Sequence, residues 1–168
     1  MLYRDQSFLV LGLGESGLAM AAWLTRQGAR VRVADTRESP PGLAQLQAAC
    51  PHAEVVCGIF SDDLLDGVAV LALSPGISVD LPFVQRARES GRRITGEIEL
   101  FVEALTRLGL RSQCRLLAIT GTNGKTTTAR MTAHILKMAG KRVGLTTTDG
   151  IYINGERYLK GDMTGPWS

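Results

Sequence analysis

A chain of 168 residues with 45% hydrophobic and 21% charged residues has a globular composition, with room for one ordinary domain or one and part of another. The net charge of +3 is spread over residues 86–93, 107–115 and 130–142 instead of forming a tail, and only 5% of residues are aromatic. No basic-aromatic stacking pattern appears, which argues against nucleic-acid binding. The apolar run at residues 8–13 is too short to cross a membrane, and no basic leader with a cleavage site is visible, so the expected location is the cytoplasm. Cys50, Cys57 and Cys114 are odd in number, lack ligand-like spacing, and read as small, mostly buried residues of a reducing compartment. His52 and His134 are far apart in sequence and read as ordinary.

Strand and helix patterns alternate from the start. Phe8–Leu11 predicts a strand, Gly12-Leu13-Gly14 a turn, and the following residues a helix to about Gln27. Val31 and Val33 alternate in a second strand ending at Asp35. A helix near 42–50 carries Leu43, Leu46 and Ala49 on one side; strands follow at 54–57 and 68–73. Pro82 starts a helix to Ser90, a strand is expected at 93–95, and a helix at 97–108 presents Leu100, Phe101, Ala104, Leu105 and Leu108. This alternation predicts an α/β fold, a doubly wound, Rossmann-like parallel sheet over residues 1–110. At 109–115 the composition turns to Gly, Arg, Ser and Gln, and a second unit, the incomplete start of a P-loop ATPase domain, is expected over 111–168. It comprises a strand at 116–120, a glycine-rich loop, a helix with Met131, Ile135, Met138 and Ala139 at helical spacing, a strand at 143–147, and a hairpin at 151–158 turning on Asn154-Gly155.

Gly121-Thr122-Asn123-Gly124-Lys125-Thr126 joins the predicted strand to the predicted helix. Backbone N–H groups, an ammonium and a hydroxyl gathered at one point suit a triphosphate and its Mg²⁺, so the expected ligand is ATP. The spacing is shorter than G-x-x-x-x-G-K-[ST], whose first glycine would fall at Ile119. A second glycine motif, Gly12-Leu13-Gly14-Glu15-Ser16-Gly17, matches G-x-G-x-x-G, and Asp35 follows near where an acidic residue meets a ribose hydroxyl. Alone it allows NAD, a UDP-linked ligand, or glycines serving only close packing; the ATP loop downstream favours a nucleotide-diphosphate substrate. Asp35-Thr36-Arg37 and Ser74-Pro75-Gly76-Ile77 follow strand ends, where such sheets bind ligands. Thr36 and Arg37 can donate to phosphate or uracil oxygens, whereas Ser74-Pro75-Gly76 reads equally well as a plain turn.

Taken together, Leu11–Leu18, Asp35-Thr36-Arg37, Pro40–Leu43, Leu73–Ile77 and Gly96–Phe101 resemble the Mur ligase family, the ATP-dependent amino-acid ligases of peptidoglycan precursor synthesis. Residues 1 to about 105 resemble its D-glutamate-adding members. Residues 143–168, with Thr146-Thr147-Thr148-Asp149-Gly150 where those members carry a Gly-Asn-Ile-Gly-like segment, resemble cyanophycin synthetase, so a mosaic of the two is also open. The resemblance implies that Gly14, Glu15, Ser16, Asp35, Thr36, Arg37, Ser74, Pro75 and Gly76 hold the UDP-sugar. It implies ATP on Gly121, Thr122, Asn123, Gly124, Lys125, Thr126 and Thr127, with Lys125 catalytic and Thr126 ligating Mg²⁺. The implied reaction joins D-glutamate to UDP-N-acetylmuramoyl-L-alanine through an acyl phosphate, in a monomer without nucleic-acid or membrane partners. The family's other catalytic groups lie beyond position 168, so the chain is expected to bind nucleotides without ligating them. An NAD-dependent oxidoreductase and a non-catalytic nucleotide-binding module are the rivals.

Overall fold

Successive side chains of a strand point to opposite faces of its sheet, so a strand apolar at every position must be covered on both sides. In the computed structural model, which describes residues 1–119 and 123–160, strand β1 (Ser7–Leu11) has this character: Phe8, Leu9, Val10 and Leu11 are all buried. The chain divides into two compact units, Met1–Cys114 and Arg115–Ser168.

In the first unit, β1 lies at the centre of a five-stranded parallel sheet of order β3-β2-β1-β4-β5. Its other strands are β2 (Arg30–Asp35), β3 (Glu54–Cys57), β4 (Val70–Leu73) and β5 (Arg93–Gly96). Phe8 pairs with Val31 on one side and Val70 on the other; Leu11 pairs with Ala34 and Leu73. On one face Phe8, Val10, Val33 and Ala72 meet Met20, Ala21 and Leu24 of helix α1 (Glu15–Arg26), Leu46 of α2 (Leu43–Ala49) and Leu100 of α4 (Glu97–Arg107). On the other, Leu9, Leu11, Leu71 and Leu73 meet Phe83, Val84 and Ala87 of α3 (Pro82–Glu89), with Leu64 and Leu65 from a short 3₁₀ turn. The chain winds outward through β2 and β3, then returns so that β4 lies beside β1. The order therefore reverses between β1 and β4, and the loops leaving their carboxyl ends flank the crevice where such sheets bind ligands.

The sequence overstated burial in places. Phe101 and Leu108, assigned to the inner face of α4, are 48% and 50% exposed, because Leu100, Ala104 and Leu105 already fill the width that the sheet covers. Ala49 is exposed and its neighbour Cys50 is buried in its place. Cys57 and Cys114, expected to be mostly buried, are exposed: Cys57 ends the edge strand β3, and Cys114 follows the last helix of the unit.

The second unit contains α5 (Lys125–Met138) and an antiparallel sheet of order β6-β7-β8, with β6 Gly144–Thr147, β7 Gly150–Ile153 and β8 Glu156–Lys160. The β7–β8 hairpin turns as predicted on Asn154-Gly155, both at positive φ (51° and 88°), the backbone that a two-residue turn between twisted strands needs. The strand predicted over 116–120 is absent at 116–119, where Leu116 and Leu117 are exposed; Thr120 lies outside the described residues. A strand exists only through a hydrogen-bonded neighbour, and β6, β7 and β8 pair among themselves without taking up this segment. The predicted stripe of α5 forms a helix, but Met131, Ile135 and Met138 are each more than 60% exposed.

The two helices should differ in urea denaturation. Leu24→Ala removes a fully buried side chain and should cost about 3 kcal/mol, whereas Met131→Ala should change stability by less than about 0.5 kcal/mol.

Candidate nucleotide-binding site

The glycine turn after β1 is shaped by contact distances that only glycine permits. Gly12 has φ +87°, and its amide donates to the Ala34 carbonyl at 2.8 Å. A Cβ on Gly17 would lie 1.8 Å from the Gly12 carbonyl oxygen, so the start of α1 is pressed directly against the turn. Ser74, buried at the end of β4, donates its hydroxyl to that same carbonyl at 2.8 Å, and its amide donates to the Leu11 carbonyl at 3.0 Å. The β1 and β4 loops are thus fastened across the switch point. At the mouth, a Cβ on Gly14 would meet nothing within 4 Å, and no side chain caps α1 among the described residues. The start of α1 is therefore uncapped and open at Gly14, an arrangement that suits an anion.

Asp35, at the end of β2, is buried and accepts four hydrogen bonds. The Leu13 amide (2.6 Å) and Arg37 Nη2 (2.6 Å) reach Oδ2, while the Arg37 amide (2.9 Å) and Nε (2.8 Å) reach Oδ1. Burial alone would raise its pKa, but the bonds from the Arg37 side chain and the two amides outweigh it and hold the carboxyl at about 2. A carboxylate has about four lone-pair sites, and four N–H donors occupy them. Asp35 thus has no acceptor to spare for the ribose hydroxyl that a dinucleotide fold would bring to it. Its work is to hold the Leu13 amide and to aim Arg37, whose side chain is 53% exposed and keeps its remaining N–H groups free of Asp35.

The crevice brings together Gly14, Glu15 and Ser16 from the β1 turn, Asp35, Thr36 and Arg37 from the β2 end, and Ser74, Pro75 and Gly76 from the β4 end. Glu15, Thr36, Arg37, Pro75 and Gly76 are exposed there, while Ser74 and Asp35 are buried behind them. The sequence reading missed that Leu13 and Gly42 belong to this frame. The Gly42 amide donates to the Leu13 carbonyl at 3.3 Å, and a Cβ on Gly42 would lie 3.0 Å from that oxygen. Pro40-Pro41-Gly42 was visible as a motif, but nothing in it says which backbone it approaches. A cleft of about 440 Å³ lies at the opposite, amino-terminal end of the strands, among Ser7, Arg30, Arg32, His52, Glu54 and Asp66. Arg32, its most heavily bonded cation, is spent on Glu54 and on the Leu64 and Asp66 carbonyls.

In the second unit, Gly121 and Thr122 lie outside the described residues. Asn123 and Gly124 lead into α5, Gly124 at φ +73° with open space where a Cβ would be, and Lys125, Thr126 and Thr127 form the first turn. That turn carries no acidic residue and no side-chain cap. The donor set fits a magnesium-bound triphosphate: one hydroxyl and one ammonium at a positive helix end, with phosphate and water oxygens completing an octahedral ion. No cluster of three or more His, Cys, Asp or Glu suited to a metal occurs among the described residues, and no helix among them is long and apolar enough to cross a membrane.

Residues 6–96, more than half of the chain, match the family model of the Mur ligase MurD-like N-terminal domain. The chain belongs to the Mur ligase family. Residues 119–166 match the Mur ligase middle domain. A relative from Aromatoleum aromaticum, UDP-N-acetylmuramoylalanine–D-glutamate ligase, is 54% identical over 132 residues, covering 79% of this chain. One of the same name from Burkholderia thailandensis is 53% identical over 143 residues, covering 82%. The chain spans 28% of the length of each. Among solved structures, a murein peptide ligase from Psychrobacter arcticus aligns over 96% of this chain and 35% of its own, with a TM-score of 0.56 and 22% identity. UDP-N-acetylmuramate–alanine ligase from Thermotoga maritima aligns over 93% and 35%, with a TM-score of 0.54 and 24% identity. These two share the Mur ligase fold. The cyanophycin-synthetase likeness expected for residues 143–168 finds no support: the segment falls almost wholly within the Mur middle-domain match, and its repeated threonines were a short and unspecific signal.

Two outcomes follow. Gly17→Ala should destabilise the first unit by about 3 kcal/mol, because its Cβ must displace the Gly12 carbonyl; chemical denaturation measures this. Asp35 has a folded pKa of about 2 against about 3.9 when unfolded, so it should contribute about 2 kcal/mol above pH 4, a contribution lost as pH falls toward 2. Denaturation of the wild type and Asp35→Asn across that range should show the difference between them shrinking with acid.

Proposed function

We propose that this chain carries the UDP-substrate-binding and ATP-binding portions of a ligase that joins D-glutamate to UDP-N-acetylmuramoyl-L-alanine. The observation that carries the reading is the set of loops at the carboxyl ends of β2, β1 and β4, which hold the uncapped start of α1 and an arginine aimed by a fully engaged buried aspartate. An anionic diphosphate fits the amides of residues 14–16, with Ser74, Pro75 and Gly76 closing the opposite wall, and the uridine end fits beside Thr36 and Arg37. Asp35 acts here through Leu13 and Arg37. The names of relatives more than 50% identical to the chain support the choice of substrate.

Residues 1–110 are assigned to the UDP-sugar and 111–168 to ATP. In the second segment, at the start of α5, Lys125 would neutralise the β and γ oxygens and Thr126 would take Mg²⁺, while the amides of Asn123, Gly124 and Lys125 and the Thr127 hydroxyl would complete the cradle. Magnesium, when bound, would offset the charge on the γ-phosphate as the substrate carboxylate attacks it and ADP leaves; the D-glutamate amine would then attack the acyl-phosphate carbonyl and expel inorganic phosphate, with loss of the amine proton. The chain's own part is to hold charge and geometry, the main requirement of phosphoryl transfer. Cytoplasmic location and a monomeric state belong to the same proposal. The NAD reading is disfavoured by the filled acceptor sites of Asp35.

Calorimetric titration tests the reading. The wild-type chain should release heat with UDP-N-acetylmuramoyl-L-alanine and with Mg·ATP, and none with NAD. Lys125→Ala should weaken ATP binding at least about tenfold while leaving the UDP-sugar isotherm unchanged, and Arg37→Ala should do the reverse. Heat from NAD, or loss of both ligands in either variant, would contradict the assignment.

A further inference from the structure

Thr126 lies in the first turn of α5, and its hydroxyl stands 3.2 Å from the hydroxyl of Thr148. Thr148 is the first residue beyond β6, in the two-residue link to β7. That link is clasped a second time by the same helix. Arg130, one turn after Thr126 and on the same face of α5, forms an ion pair with Asp149 and reaches the Tyr152 hydroxyl at 3.3 Å. Its guanidinium also lies 5.7 Å from the centre of the Tyr152 ring. The Tyr152 hydroxyl donates to Asp149 Oδ2, and the buried Thr147 hydroxyl donates to Oδ1 at 2.5 Å. The link is thus held from within by Thr147 and Tyr152, and from the helix by Thr126 and Arg130.

We propose that Thr148 is a positioning residue for the Thr126 hydroxyl, orienting it toward the magnesium ion of a bound nucleoside triphosphate. The proposal rests on reading residues 121–127 as the triphosphate loop. A hydroxyl has one proton and two lone pairs. To give a lone pair to a cation it must send its proton elsewhere, and the Thr148 oxygen is an acceptor within reach. A threonine side chain moves between a few staggered rotamers, and a hydrogen bond from a fixed partner selects one of them. Partners of this kind commonly decide how well a metal ligand performs. Arg130 and Asp149 then serve to keep Thr148 in place.

The test measures binding of a fluorescent ATP analogue to the 168-residue chain as a function of Mg²⁺, and again in excess chelator. Thr148→Val, which keeps the shape and removes the oxygen, should raise the Mg²⁺ needed for half-saturation about tenfold. Its affinity for the metal-free analogue should stay within about twofold of the parent, and Thr148→Ser should stay within about twofold in both conditions. Unchanged Mg²⁺ dependence in Thr148→Val overturns the proposal. So does an equal loss with and without metal, which marks a merely structural clasp, or a serine variant as impaired as the valine one. If circular dichroism shows Thr148→Val unfolded, Thr148→Ala is judged by the same readings. Thr126→Val, run alongside, separates the two levels of the argument. If it abolishes the Mg²⁺ dependence while Thr148→Val does not, only the role of Thr148 fails. If the parent shows no Mg²⁺ dependence, or Thr126→Val retains it, the triphosphate reading fails and the proposal falls with it.

Discussion

Asp35 stands at the end of β2 and takes hydrogen bonds from the backbone just beyond β1 and from both the backbone and the side chain of Arg37. Its burial is tolerable only because all of its acceptor sites are filled; an unpaired carboxylate in that position would be neutralised or would disrupt the loop. The consequences run outward from this one group. The Leu13 amide cannot rotate away, so the glycine turn keeps its course into α1. Arg37 cannot fold back onto the surface, so the mouth of the crevice keeps a directed positive charge. Ser74 secures the other wall by binding the Gly12 carbonyl, which α1 also presses through Gly17.

The second unit uses the same device with less burial. There an aspartate, Asp149, joins a strand end to a helix through Arg130, and the Thr147 and Tyr152 hydroxyls complete the set. Hydrogen bonds from Thr147 and Tyr152, followed by the Arg130 charge, hold its carboxyl at about 2. Exposure makes this network a guide to geometry more than a source of stability, because solvent screens such pairs. What both units share is a carboxylate that organises neighbouring donors at the end of a strand.

Much of this was readable from residues alone, for identifiable reasons. The apolar runs at 8–11 and 70–73, broken by glycine turns, specify buried parallel strands; Asn154-Gly155 specifies a tight hairpin; and Pro82 marks a helix start. The two glycine-led helix starts were also visible, because glycine before a helix and Lys-Thr after glycine each imply a backbone geometry. Pairing was not visible. The sequence contains no sign that Asp35 would spend itself on Leu13 and Arg37 instead of on a ribose, or that Ser74 would bind Gly12 across a separation of 62 residues. Nor could the apolar run at 116–120 announce that its first four residues would find no strand to pair with. The Thr126–Thr148 contact was hidden in the same way, inside a run of threonines that read as a family resemblance.

The most direct measurement is a titration of the isotopically labelled chain with UDP, followed through its backbone amide resonances. The account predicts that the amides of residues 12–17, 35–37, 74, 76 and 77 shift together along one saturable curve, while those lining the cleft around Arg30 and Glu54 stay still. Shifts concentrated at that opposite cleft, or none in the β1–β4 crevice, would contradict it.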